Sequence, residues 1–64
     1  MRMYIANVDE HTQEFKSTRK SEIKKFALQA LKDGAEVVAI YYGDYAHYIG
    51  SFYADGEMPR IFTK

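Results

Sequence analysis

The chain has no cysteine, no tryptophan, one proline and two histidines in 64 residues. Each scarcity excludes something. Without cysteine there are no disulfides and no thiolate metal sites. With only His11 and His47, a histidine-rich metal centre is not expected, and no metal or cofactor is assigned. The longest uninterrupted apolar run, Val37 to Tyr42, is far too short to span a bilayer. No N-terminal apolar stretch resembles a signal peptide, so a cytoplasmic protein is expected. Walker, Rossmann, EF-hand and zinc signatures are all missing. No nucleophile stands in a recognisable setting, and the expectation is a protein that is not an enzyme.

Length sets the next bound. Sixty-four residues make a single domain, expected over 1–64. A chain this short buries only about 60% of the surface its unfolded form exposes, so its core alone leaves it marginal. Of the usual supplements, association with a second copy or another protein is the one its composition leaves open.

Net charge is zero, with nine basic and nine acidic residues, but the signs are segregated. Lys16, Arg19, Lys20, Lys24, Lys25 and Lys32 face the single acid Glu22 across residues 16–32. Asp33, Glu36, Asp44, Asp55 and Glu57 follow with no base before Arg60. Overall neutrality argues against a dedicated nucleic-acid binder.

Pattern predicts the elements. Residues 2–8, rich in β-branched and aromatic side chains, read as a strand, and 13–16 as a short second one. Over Ser17 to Lys32, Ile23, Phe26, Ala27, Ala30 and Leu31 recur at helical spacing and line one face. Ser17 and Ser21 are both candidate N-caps; Ser21 is preferred because it keeps Arg19 and Lys20 out of a first turn that disfavours cations. Asp33-Gly34 is a helix stop. Glu36 to Tyr42 and 45–53 read as a hairpin about a two-residue turn at Gly43-Asp44. A second turn at Asp55-Gly56 leads to a last strand, Met58 to Thr63, held to an edge by Pro59. The expected fold is α+β, in the order β(β)αβββ, with one helix on one face of a small antiparallel or mixed sheet.

Five of the six tyrosines lie between positions 41 and 53. One helix covers only one sheet face, so part of this aromatic surface is expected to meet water, a ligand or a partner. The two-residue turn pairs Tyr42 with Tyr45, Ile40 with His47 and Val38 with Ile49. The opposite set, Tyr41, Ala46, Ala39, Tyr48, Val37, Gly50 and Phe52, contains small residues that would let a helix lie close, and is assigned to the helix side. Val38, Ile40, Tyr42, Tyr45, His47 and Ile49 then form the expected protein-binding face, although tyrosine is also simply a good strand former.

The function expected is a small non-enzymatic protein-binding module, inhibitor-like or accessory, whose partner is another protein or a second copy. The alternative is nucleic-acid binding through Lys16, Arg19, Lys20, Lys24 and Lys25, weighed against an ordinary solvated helix face. Asp44, Tyr45 and His47 are the only grouping that suggests acid–base chemistry, and Asp9-Glu10-His11 the only turn offering metal ligands. Neither specifies a site. Short chains with this helix-plus-sheet pattern and exposed aromatics are common among small accessory proteins of phages and mobile elements, though no specific motif carries that likeness.

Overall fold

The computed structural model describes residues 2–63. Four strands form one antiparallel sheet: β1 (Tyr4–Val8), β2 (Gln13–Ser17), β3 (Val37–Tyr42) and β4 (Asp44–Tyr53). The helix α1 (Lys20–Lys32) lies between β2 and β3 in sequence, and a single 3-10 turn (Arg60–Phe62) follows β4. Sheet order is β2-β1-β3-β4. β2 and β3 therefore flank β1 and run parallel to each other, so α1 crosses one face on its way from one to the other. The fold is α+β as expected, with one helix on a four-stranded antiparallel sheet.

The core forms where α1 meets the sheet. Ile23 and Ala27 of the helix are fully buried against Ala6, Val38, Ile40 and Phe52. Phe26, Ala30 and Leu31 pack around them half-buried, as the helical spacing predicts. The helix begins at Lys20 with Arg19 in the N-cap position, two residues before the start that a Ser21 cap gives, so Lys20 does stand in the first turn. No side chain caps the helix, and Ser17 only braces its approach: its Oγ accepts from the Arg19 amide at 3.1 Å and donates to Glu22 Oε1 at 3.0 Å. The end of β2 thus fixes the start of α1.

Two expectations about the hairpin are corrected. First, β3 and β4 do not pair about a two-residue turn. Tyr42 faces Asp44 across Gly43 alone, which reverses the chain at φ 85°. The next regular partner is Tyr41 with Tyr48, so residues 45–47 bulge out. The Asp44 carboxylate organises that bulge by accepting from the Ala46 amide at 2.9 Å. A second irregularity at Ile49 brings Ile40 opposite Gly50 and Val38 opposite Phe52.

Second, the helix covers the Val38 and Ile40 side, not the Tyr41 and Ala39 side. Only Gly50 and Phe52 of the set assigned to the helix turn toward it. The close approach is supplied by small residues on the helix, Ala27 and Ala30, and by Ala6 on β1, so small residues on β3 are not required. A tyrosine face under a helix would also strand phenol hydroxyls away from water.

The fifth strand does not form. After β4 the chain turns at Ala54–Gly56, and the Tyr53 amide donates to the Glu57 carbonyl at 2.8 Å. Pro59 then packs on Gly50, where an added Cβ would lie 3.2 Å from the proline ring. Phe62 enters the core, 5.1 Å from Phe52 and 6.1 Å from Tyr4 between ring centroids. The aromatic plug buries more apolar surface than a proline-bearing edge strand would.

Candidate functional site: the open face of the sheet

Strand alternation sends every second residue to the side away from α1. The pairing aligns these residues in rows. One row runs Lys16, Ile5, Tyr41, Tyr48 from β2 to β4. The next runs Glu14, Asn7, Ala39, Ser51, and a third joins Val37 to Tyr53. The irregularity at Ile49 shifts the parity of β4, which is why Tyr48 shares this face with Ser51 and Tyr53.

Tyr45 completes the surface. It rises from the bulge, and its ring meets Tyr41 edge-on at 4.9 Å and His11 at 5.6 Å. Its hydroxyl reaches across the sheet to donate to Glu14 Oε1 at 2.7 Å. Tyr41 also contacts Tyr48 at 5.5 Å, and the Tyr48 hydroxyl is hydrogen-bonded to Ser51. The result is a linked cluster of Tyr41, Tyr45 and Tyr48 whose outer rings remain open, Tyr45 being 43% exposed and Tyr48 56%; Tyr53, 45% exposed, stands two rows away on the same face.

Asn7 lies at the floor of this cluster and is only 3% exposed. Neither its amide oxygen nor its amide nitrogen has a hydrogen-bond partner among the described residues. An unsatisfied buried polar group costs about 1–3 kcal/mol. Ile5 beside it is buried too, so the aromatic rings cover both polar and apolar groups on a face that no helix protects.

The turn joining β1 to β2 helps to hold the cluster. Asp9, Glu10 and His11 all have positive φ, at 42°, 57° and 75°. Left-handed backbone costs roughly 1–2 kcal/mol per L-residue. Local bonds hold the turn against that cost. The Asp9 carboxylate accepts from the Glu36 and Val37 amides at 3.0 and 3.1 Å, and the Thr12 amide and hydroxyl both donate to the Val8 carbonyl. Both the Glu36 and Val37 amides go to Asp9 Oδ1, and the turn sets His11 against Tyr45.

Charge at the rim follows from these contacts. The Tyr45 hydroxyl, and after it Lys16 at 3.3 Å, hold the Glu14 carboxyl below its ordinary range. The same bond raises the Tyr45 phenol, aided by partial desolvation; the Asn7 amide, near but outside hydrogen-bond geometry, works against that rise. Asp44 is lowered by its bond to His47 Nδ1 at 2.8 Å and then by the Ala46 amide. Asp44 and His47 do come together, as an exposed pair that shapes the bulge, while the Tyr45 hydroxyl goes to Glu14 instead.

The six residues expected to form a protein-binding face are divided. Val38 and Ile40 are fully buried beneath α1 and cannot be part of any exposed surface in this fold. Ile49 is half-buried and packs on the core, and Tyr42, 37% exposed, meets Tyr4 at 4.7 Å with tilted rings on the helix side. Tyr45 and His47 are exposed in the bulge. Tyr41, Tyr48, Tyr53, Asn7 and Glu14 were missed. The polar tip of tyrosine was the available signal, since it favours the watered face over the one beneath a helix.

The basic residues do not converge on the tyrosines. Lys16 is on the open face, paired with Glu14, and Arg19 is at the helix N-cap. Lys20 and Lys24 lie on α1 beside Ile61 and Phe62. Lys25 is on the helix's other flank, beside Phe15 and Phe26. No helix among the described residues is long and apolar enough to cross a membrane. No protein-family model, curated protein or solved structure matches the chain.

Proposed function

We propose that this protein is a small non-enzymatic binding module that docks another protein on the open, tyrosine-covered face of its sheet. The observation carrying this reading is the gathering of Tyr41, Tyr45, Tyr48 and Tyr53 on the face opposite α1, with three of the rings more than two-fifths exposed. Tyrosine brings large contact area with few rotors to lose, and a contiguous exposed apolar patch on a small domain marks an interaction site. Glu14 and Asp44 at the rim have carboxyls held below their ordinary range, and their negative charge favours a partner with an apolar patch edged by Lys or Arg. Cytoplasmic residence and an accessory or inhibitor-like role belong to this same reading.

A photo-crosslinking residue placed at Tyr48 tests it. The expected result is one specific protein adduct that Tyr41→Ala and Tyr45→Ala each remove, every ring truncation weakening binding by about 2 kcal/mol or more. Binding unaffected by these changes in folded variants overturns the proposal. Salt-sensitive oligonucleotide binding that is lost when Lys20, Lys24 and Lys25 become Gln would instead establish nucleic-acid recognition by the helix.

A further inference from the structure

We infer that the free edge of β2 is a self-complementary dimer surface, through which two copies join their sheets into one eight-stranded sheet. This edge borders the tyrosine face and shares Glu14 and Lys16 with it, but the inference does not rest on that reading.

The two edges of the sheet are finished differently. At the β4 edge the chain folds back: Glu57 accepts from the Tyr53 amide, and Pro59 covers Gly50. Among the described residues no such segment pairs with the outer edge of β2, which ends the sheet. Which backbone groups β2 leaves free follows from the ladder. The Asp9 amide donates to Val37 and the Gly43 amide to Met3, so the odd residues of β1 bond to β3. Antiparallel bonding alternates from residue to residue, so the even residues Tyr4, Ala6 and Val8 bond to β2, through Ser17, Phe15 and Gln13. Glu14 and Lys16 then direct their N–H and C=O groups outward.

Two copies pairing antiparallel through these groups have three two-fold registers. Glu14 faces the partner's Glu14, or Lys16 faces the partner's Lys16, or Glu14 faces the partner's Lys16. The first two oppose like charges, which is destabilising, and only the third opposes unlike ones. That register centres on Phe15 against the partner's Phe15, as a pair without mutual hydrogen bonds, where side chains approach most closely. Phe15 is already stacked on Phe26 at 4.8 Å, beside an open groove between β2 and α1 rimmed by Glu22 and Lys25. A second copy brings apolar surface to that groove and one charge of each sign to its rim. A domain of this size without disulfides gains most from such a supplement.

Sedimentation equilibrium on the whole chain over a concentration series is expected to show a monomer–dimer equilibrium. Glu14→Lys and Lys16→Glu, each confirmed folded by its circular dichroism melt, should each weaken self-association about tenfold, since two facing pairs per dimer become like-charged. An equimolar mixture of the two variants should associate again. In hydrogen exchange, the Glu14 and Lys16 amides should gain protection with concentration, while the Phe15 amide, bonded to β1, should not. A wild type that stays monomeric throughout overturns the inference. So does a dimer that both variants retain at full strength, which would put the contact elsewhere, or a mixture that fails to associate.

Discussion

The two faces of the sheet hold side chains of similar bulk under opposite conditions. Beneath α1, Val38, Ile40 and Phe52 are completely buried, and the helix meets them with alanines and Ile23. On the other face lie Tyr41, Tyr45, Tyr48 and Tyr53, and a buried asparagine that has no hydrogen-bond partner among the described residues. The first face is organised for stability. The second keeps exposed aromatic surface and an unsatisfied amide, features that lower stability and suit binding.

The largest expected effect separates the faces directly. Phe52→Ala, in the centre of the covered face, should destabilise by about 3–5 kcal/mol, close to the whole stability of a domain this small. Tyr48→Ala, on the open face, should change the melting midpoint little, within about 1 kcal/mol. Comparable losses in thermal melts of the two variants would erase the distinction.

Between the two sits Phe26, half-buried and stacked on Phe15 at the sheet edge. A fully buried ring would lose about 3–5 kcal/mol on truncation to alanine, but here about 1–3 kcal/mol is expected because part of the ring is already in water. Urea unfolding measures the difference.

Asn7 sharpens the contrast with an unusual sign. Replacing it with leucine, Asn7→Leu, removes an unsatisfied amide while keeping the same branched skeleton with somewhat more bulk, so stability should be unchanged or rise by about 1 kcal/mol. A clear loss would mean that the amide is hydrogen-bonded in solution. Reduced partner binding in a more stable variant would show that the group serves recognition.

A smaller effect concerns the Tyr45–Glu14 bond. Glu14 has a depressed folded pKa, so its contribution is present above its unfolded pKa and is lost as pH falls through the folded value. Tyr45→Phe removes the largest cause of that depression. The Glu14 titration midpoint, followed by NMR, should therefore move up toward the ordinary carboxyl value, and the acid side of the stability profile should flatten. An unmoved midpoint would show that the bond does not persist in solution. Smallest of all, Lys25→Gln on the exposed side of α1 should alter stability by no more than about 0.5 kcal/mol.

The legible features were the local ones. The spacing of Ile23, Phe26, Ala27, Ala30 and Leu31 placed the buried stripe of α1, and the apolar run after Glu36 placed β3. Gly43 marked the reversal of the hairpin. Its detailed course depended on the Asp44 carboxylate binding Ala46 and His47, a competition between side chain and ladder that strand periodicity does not encode. The end of the chain was misread because Met58 to Thr63 has strand composition, whereas the space beside Phe52 and Tyr4 that Phe62 fills exists only once the sheet and helix are packed.

The candidate site was legible in kind and not in membership. The surplus of tyrosine announced an aromatic surface, but Val38 and Ile40 were placed on it and Tyr41 and Tyr48 were left out. Sequence by itself determined the α+β composition, the helix face, the strand positions and the presence of more aromatic surface than one helix covers, because these follow from local periodicity and counting. Tertiary structure alone decided which side of the sheet α1 would cover. An alternating strand is symmetric between its two faces, and a one-residue bulge exchanges them. The choice is made only when the helix alanines close on Val38 and Ile40 and the tyrosine hydroxyls are left on the side of water.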